Sequence, residues 1–327
     1  MITKRRFLSG ACVGGLASVM PGVWQFAQAQ EWPAKPIKII ESFAAGVARD
    51  ARTRVIAEKL TGILGQQVYV ENRPGAAGRI AAQAAVSATP DGYTFNMMGA
   101  TDFMAKYLYN LSYDPERDLV PVSMIETLPA ALIVRASLPA KSVAELISYA
   151  KDHPGELTYG STGPGGWFHV NALLFSSITH INLRHIPYGQ GSPVTDLLGD
   201  HIDMVFDAAS AIYLENLKAG RLRTLAITGE NRVSTLPDVP TFIESGVSAY
   251  DAFALYGMFA PKGTPESIIL KMQHAILQML QEPTLRRLWI SEGGNPVGST
   301  SAEFAARIRS VSERWRSVIR ANNIKLE

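Results

Sequence analysis

Val70-Glu71-Asn72-Arg73-Pro74-Gly75-Ala76-Ala77-Gly78-Arg79-Ile80-Ala81-Ala82-Gln83-Ala84-Ala85-Val86-Ser87-Ala88-Thr89-Pro90-Asp91-Gly92-Tyr93-Thr94-Phe95 is the most informative stretch of this chain. Short apolar runs flank it, Val68 to Glu71 and Thr94 to Met98, with a small-residue helical segment between them and Gly and Pro marking both junctions. Such alternation of strand-length runs with helix-period segments is the pattern of a mostly parallel sheet covered by helices, and it continues outward in both directions. Further strands are expected at Ile37 to Ser42, Ala131 to Arg135, Leu157 to Gly160, Leu183 to Ile186, Met204 to Asp207 and Leu222 to Ile227. Pro265 to Leu280, with Ile269, Met272, Ile276 and Met279 on one face, and Ser301 to Ile319 read as helices. The fold class is therefore α/β.

The N-terminus carries Lys4-Arg5-Arg6, a mostly apolar run from Phe7 to Phe26, and Ala27-Gln28-Ala29 before Gln30. That is the layout of a secretory signal peptide over residues 1–29, cleaved near Ala29 and Gln30. Thr3 to Leu8 approximates a twin-arginine motif, so Sec and Tat export both stay open. Cleavage would remove Cys12, the one cysteine, together with three of the 31 Lys plus Arg, and none of the 29 Asp plus Glu. A nearly neutral exported chain without thiols excludes disulfides, thiolate metal sites and cysteine nucleophiles, and argues against nucleic acid as a partner.

The quoted stretch resembles the tripartite tricarboxylate transporter substrate-binding proteins, the TctC or Bug family, in which a strand ends in E-N-R-P-G-A-x-G and P-D-G-Y-T opens the next. Further matches are Tyr113-Asp114-Pro115, Asp118 to Val122, Leu138 to Ser142, Leu236 to Thr241 and Pro296 to Thr300, so the resemblance covers nearly the whole exported chain. It implies a type II periplasmic-binding fold: one domain from residues 30–125 plus 253–327, a second from 126–252, and crossing strands near Ser123 to Glu126 and Phe253 to Phe259. It also implies a periplasmic, monomeric receptor for a small organic carboxylate, with no cofactor, that serves the membrane subunits of a tripartite tricarboxylate-type transporter.

Ligands of open α/β sheets bind beyond the carboxyl ends of strands, where helix starts point N–H groups into a crevice. Two Gly-bearing turns fit: Ser42-Phe43-Ala44-Ala45-Gly46-Val47-Ala48-Arg49-Asp50, and Ser161-Thr162-Gly163-Pro164-Gly165-Gly166-Trp167-Phe168-His169. Taken alone, each equally suits an ordinary tight turn. In relatives the first turn, usually P-F-x-P-G-G-x-x-D, and the second are two arms around a carboxylate. This chain keeps Phe43, Gly46 and Asp50 of the first pattern and departs at Ser42, Ala44, Ala45 and Val47; Val47 in place of glycine is expected to change the path of the loop or expose fewer amides. Arg49, replacing a small residue, is either a bidentate carboxylate contact or a solvated first-turn arginine.

Gly99-Ala100-Thr101-Asp102, Tyr188-Gly189-Gln190-Gly191-Ser192 and Asp207-Ala208-Ala209 follow other strands as cleft candidates. Asp207 is either a ligand acceptor or the cap of a helix at Ala209. Val47, Trp167 and Phe168 favour a carboxylate with an apolar or aromatic body. No G-x-S-x-G elbow, phosphate loop or H-E-x-x-H is present. A secreted hydrolase or lyase, with Ser161, His169 and Asp207 converging, and a sensory co-receptor are the alternatives to transport.

Overall fold

The computed structural model describes residues 31–188, 192–208, 210–250, 252–322 and 324; the proposed signal peptide and the candidates Gly189, Gln190, Gly191 and Ala209 lie outside them. Trp32–Glu327 makes one compact unit. Its first half-sheet begins with β1 (Ile37–Glu41), α1 (Ala48–Leu64), β2 (Val68–Asn72), α2 (Arg79–Val86), β3 (Thr94–Gly99), α3 (Ala100–Leu108) and the short α4 (Pro115–Asp118). Next come the long β4 (Leu119–Arg135), α5 (Val143–Asp152), β5 (Thr158–Ser161), α6 (Trp167–Thr179), β6 (Arg184–Pro187), α7 (Val194–Leu198), β7 (Met204–Ala208), α8 (Ala211–Lys218) and β8 (Leu222–Ile227). The chain returns through β9 (Phe253–Pro261), α9 (Glu266–Met279), α10 (Pro283–Ser291), the two-residue β10 (Asn295–Pro296) and α11 (Ser301–Ala321).

The architecture is α/β, as the apolar periodicity predicts, and the expected strands each appear within about two residues of their predicted bounds except one. β4 starts at Leu119 rather than Ala131. Pro121, Ser123, Glu126 and Thr127 hide its first part from an apolar-run reading, because that part is held by specific partners. Ser123 Oγ donates to Ser299 O (2.8 Å), Met124 N–H donates to Ser299 Oγ (2.9 Å), and Arg52 Nη1 donates to Glu126 Oε2 (2.5 Å).

β1 pairs in parallel with β2 and β3, and β3 runs antiparallel to β9. β9 lies against Leu119 to Pro129 of β4, whereas residues Ala130 to Arg135 of β4 pair with β7 and β8. β5 pairs in parallel with β6 and β7. One long strand thus belongs to both halves of the sheet. At the junction Gly257 of β9 passes so close to Phe304 that a Cβ there would lie 2.3 Å from the ring, so no side chain fits.

Helices close over both faces because their sequences carry one apolar stripe each. α11 starts with a capping box, Thr300 Oγ1 accepting from Glu303 N–H (3.2 Å) while Glu303 Oε2 accepts from Thr300 N–H (2.8 Å). It then buries Phe304, Ile308, Val311, Trp315 and Val318 at helical spacing. Each such large side chain contributes about 1.5–3 kcal/mol on burial. Against the other face, Ile56 and Leu60 of α1, Met272 and Ile276 of α9 and Trp289 of α10 cover Ile37 and Ile39 of β1.

Candidate functional site

The parallel strands β1, β3, β5 and β7 each run directly into a helix start, of α1, α3, α6 and α8 respectively. The first three amides of an α-helix have no partner within it. In α1 the ladder begins with Ala51 N–H to Val47 O (3.0 Å), and in α6 with Val170 N–H to Gly166 O (3.0 Å). The amides before them, at residues 48–50 and 167–169, are the donors that the two Gly-bearing turns offer.

The first turn leaves β1 at Glu41. Phe43, Ala44, Ala45, Gly46 and Val47 are all exposed, at 44% for Phe43 and 41% for Val47. Gly46 carries the positive φ (87°), while Val47 is extended at φ −79°. Val47 therefore sits in this turn without backbone strain. Asp50 is buried and fully occupied: it accepts from Gly46 N–H (2.8 Å), Arg54 Nε (2.9 Å) and Asn72 Nδ2 (2.7 Å). Burial pushes its carboxyl up, but the bonds from Arg54, Gly46 and Asn72 outweigh that and hold it below the usual range. Asp50 braces the turn from behind.

Arg49 is not a solvated first-turn residue. Its side chain is only 10% exposed, its Cζ sits 3.2 Å from the ring centroid of Tyr256 of β9, and its Nε lies 3.6 Å from the wholly buried Glu41. Its Nη1 is buried with no hydrogen-bond partner among the described residues. Glu41 also accepts from Thr53 Oγ1 (2.5 Å) and Phe43 N–H (3.3 Å).

Gly99 makes this possible, since a Cβ there would lie 2.6 Å from the Tyr256 ring. Ala100 and Thr101 open α3, their side chains outside the described set. Asp102 follows, buried, accepting from Gly99 N–H (2.7 Å). Burial raises its carboxyl to about 6 against the lowering effects of that amide and of Arg49. Glu41 and Tyr256 were not singled out by sequence reasoning; Glu41 meets Arg49 across the turn, and Tyr256 meets it because β9 pairs with β3.

In the second turn Ser161 is wholly buried, Gly163 and Gly165 carry φ of 121° and 74°, and Thr162 is exposed. Ser161 Oγ accepts from Gly163 N–H (3.0 Å) and lies 2.6 Å from His185 Nε2; His169 Nδ1 accepts from Gly165 N–H (3.0 Å). Gly166 N–H donates to Gly163 O (3.2 Å). Ser161, His169 and Asp207 do not form a triad, because the serine meets His185 of β6 instead and Asp207 bonds its neighbour's amide. Trp167 packs edge-on against Trp315 of α11, with ring centroids 6.2 Å apart, which spends much of the apolar face expected to flank a ligand.

Tyr188 turns its hydroxyl to Asp196 Oδ2 (2.6 Å) in α7. Burial and that carboxylate push its phenol up to about 12. Asp207 ends β7 with its carboxyl accepting from Ala208 N–H (2.6 Å). It is not a helix cap: α8 begins at Ala211 with Ser210 at the cap position. Burial raises Asp207 to about 7, and the Tyr213 phenol beside it stays buried without closing a hydrogen bond.

Residues 52–324 match the tripartite tricarboxylate transporter family receptor, TctC. The chain belongs to that family. Among TctC relatives, BugT of Bordetella pertussis is 32% identical over 317 residues, covering 96% of this chain and 97% of that one. Solved TctC-type neighbours include Rpa4515 of Rhodopseudomonas palustris with adipate (TM-score 0.77, 31% identity, 90% of this chain and 100% of that one). MatC of the same organism, with bound malate, superimposes at TM-score 0.74 with 27% identity, covering 88% and 99%. The α/β architecture here is accordingly that of the periplasmic binding proteins of TctC type.

A separate cavity of about 700 Å³ opens beside the strand junction, lined among others by Thr127, Gly229, Arg232, Phe253, Gly294 and Arg307. It shares no residue with either Gly-bearing turn.

Proposed function

We propose that this TctC-family chain is a periplasmic receptor that holds a small organic carboxylate between the turns at residues 42–50 and 161–169 and delivers it to a tripartite tricarboxylate-type membrane transporter. Residues 30–125 plus 253–327 and residues 126–252 act as two lobes that close, as a monomer, about β4 and β9, after residues 1–29 are removed on export. The observation that carries this reading is Arg49: a nearly buried guanidinium, held over the Tyr256 ring, whose Nη1 has no hydrogen-bond partner among the described residues. An unpaired buried donor of a charged group costs more than about 1–3 kcal/mol, and a ligand carboxylate removes that cost. The helix-start amides of α1 and α6, which have no partner within their helices, supply the remaining donors. Adipate and malate in the related structures fit the same chemistry, and the exposed Phe43 and Val47 at the rim favour an apolar ligand body.

The test is thermal unfolding of residues 30–327, freed of co-purified ligand by unfolding and refolding, against mono-, di- and tricarboxylates and acidic amino acids. A ligand at a hundred times its dissociation constant adds about 2.7 kcal/mol of stability. A shift confined to one chemical group names the ligand class; no shift with any carboxylate ends the reading. With the ligand in hand, Arg49→Ala lowers affinity at least about tenfold, since an unmade charge-assisted bond is worth about 1.5–3 kcal/mol. Calorimetry showing unchanged affinity would return Arg49 to a purely structural role.

A further inference from the structure

Three aromatic rings stack behind the second turn. Tyr159 of β5 and His185 of β6 stand opposite one another in the parallel register, their centroids 5.0 Å apart and planes 19° apart. His169, in the first turn of α6, lies on His185 at 4.2 Å and 24°, and on Tyr159 at 6.3 Å and 14°. Both imidazoles hold the turn by hydrogen bonds, His169 Nδ1 to Gly165 N–H (3.0 Å) and His185 Nε2 to Ser161 Oγ (2.6 Å). Ser161 Oγ in turn takes Gly163 N–H (3.0 Å).

We infer that His169 and His185 are positioning residues for the Ser161–Gly166 turn, which keeps its donor-presenting shape only while the His169 imidazole is neutral, so that acid releases this arm.

The protonation argument follows from atom roles. An imidazole nitrogen that accepts a hydrogen bond has no proton, so His169 is the Nε2–H tautomer. A second proton can go only to Nδ1, where it would face Gly165 N–H as donor against donor. The bond is then lost, and with it the tie between the Gly165–Gly166 bend and α6, whose first amides are the offered donors. His185 tolerates a proton better, because Nε2–H can donate to Ser161 Oγ while that hydroxyl donates to Gly163 O (3.2 Å). Two imidazolium rings 4.2 Å apart repel, however, so only one of them charges readily. The titratable groups that face the stack are Tyr159 from β5 and the imidazoles from β6 and α6. Burial pushes the Tyr159 phenol up, keeping it neutral.

Burial, then His185, lowers His169 to about 4, and burial lowers His185. The sign is that of neutral buried histidines: the folded state binds fewer protons than the unfolded one. The stabilisation is therefore complete above the ordinary value near 6.5 and is lost as pH falls through the lowered one. The inference deepens the receptor reading by naming what holds one of its two arms, but its test needs no ligand, so the two can fail separately.

The experiment is a titration of ligand-free residues 30–327 by NMR, following the His169 ring and the Gly165, Gly166 and Trp167 amides from about pH 7.5 down to about pH 3, past the lowered His169 value. The expected result is one shared midpoint, at least about one unit below the ordinary histidine value, for the His169 ring and the Gly165 amide. His169→Asn, whose Oδ1 occupies the place of Nδ1 and does not titrate, keeps the neutral Gly165 resonance throughout. His185→Gln preserves the contact to Ser161 while removing the stacked neighbour, and raises the His169 midpoint. A Gly165 amide that ignores the His169 titration, or that moves identically in His169→Asn, overturns the inference, as does a His169 midpoint at the ordinary value.

Discussion

The two Gly-bearing turns of this TctC-family chain, the proposed arms around the ligand, are braced by opposite means. The first is braced by charge: Asp50 ties Gly46, Arg54 and Asn72 together, and Arg49 lies between Tyr256 and the buried Glu41. The second is braced by neutral groups, a buried hydroxyl and two stacked imidazoles. Charge bracing is strong where desolvated and fails when a partner is removed; neutral bracing is weaker and fails when it is charged. On the proposed reading, one arm of the ligand site needs its carboxylates ionised and the other needs its His169 neutral.

The largest expected effect tests the charged arm one helical turn beyond Arg49. Arg52 is 14% exposed and Glu126 of β4 is 5% exposed, and they meet at 2.5 Å. Arg52 also reaches Glu292 (2.9 Å), which is half exposed and adds little. Arg52→Ala leaves Glu126 buried and unpaired, which costs about 3–5 kcal/mol. Replacing both, Arg52→Met with Glu126→Leu, recovers most of that loss. Urea unfolding of the three variants decides it; an Arg52→Ala loss below about 1 kcal/mol would show that the charges at this end of α1 are ornamental.

Asp50→Asn comes next. The amide oxygen can still take Gly46 N–H, but the pairing with the half-exposed Arg54 goes, and one acceptor is replaced by a donor facing Asn72, so the expected loss is about 1–2 kcal/mol at pH 7. The folded-state value of Asp50 is depressed, so its stabilisation is present above the ordinary aspartate value near 4 and is lost as pH falls through the depressed one. The gap between wild type and Asp50→Asn should close on that acid side, and a gap of constant width from pH 7 to pH 3 would contradict the charge bracing.

How much of this was legible in the sequence differs between the arms. Apart from the first part of β4, the strands, the Gly turns and the helix starts are local signals, and the apolar runs and glycines marked them within about two residues. The braces are not local. Glu41 reaches Arg49 across the turn, but Tyr256 reaches it only because β9 crosses next to β3, and His185 meets Ser161 only through the parallel pairing of β5 with β6. Glu126 was expected at a crossing strand, but not its partner Arg52, 74 positions away. A fully buried charge leaves no periodicity to read.

For the neutral arm the matching substitution is Ser161→Ala. It removes the acceptor of Gly163 N–H and the partner of His185 from a wholly buried position, with an expected cost of about 1–2 kcal/mol. Because no full charge is involved above the ordinary histidine value, this loss should be unchanged by added salt between pH 7 and 8. A loss that shrinks in high salt would mean that the second arm, too, rests on charge.

Asp207 belongs to neither pattern, and its substitution carries the smallest effect and the opposite sign. Burial has raised its carboxyl to about 7 against the lowering effects of the Tyr213 phenol and of the Ala208 amide, which donates to it among the described residues. An acid raised in the folded state costs stability as pH climbs from the ordinary value near 4 through the raised one. Asp207→Asn removes that cost while the amide oxygen keeps Ala208 N–H and the NH₂ group meets the unpartnered Tyr213 hydroxyl. The variant should thus be about 1 kcal/mol more stable than wild type at pH 8 and no more stable at pH 4. A chain that retains a destabilising acid at a strand end beside the cleft gains from it only if a donor arrives with the ligand, so the same variant should bind its carboxylate ligand more weakly while melting higher. If Asp207→Asn instead lowers stability at pH 8, the acid is structural, and the ligand's donor must be sought elsewhere along the strand ends.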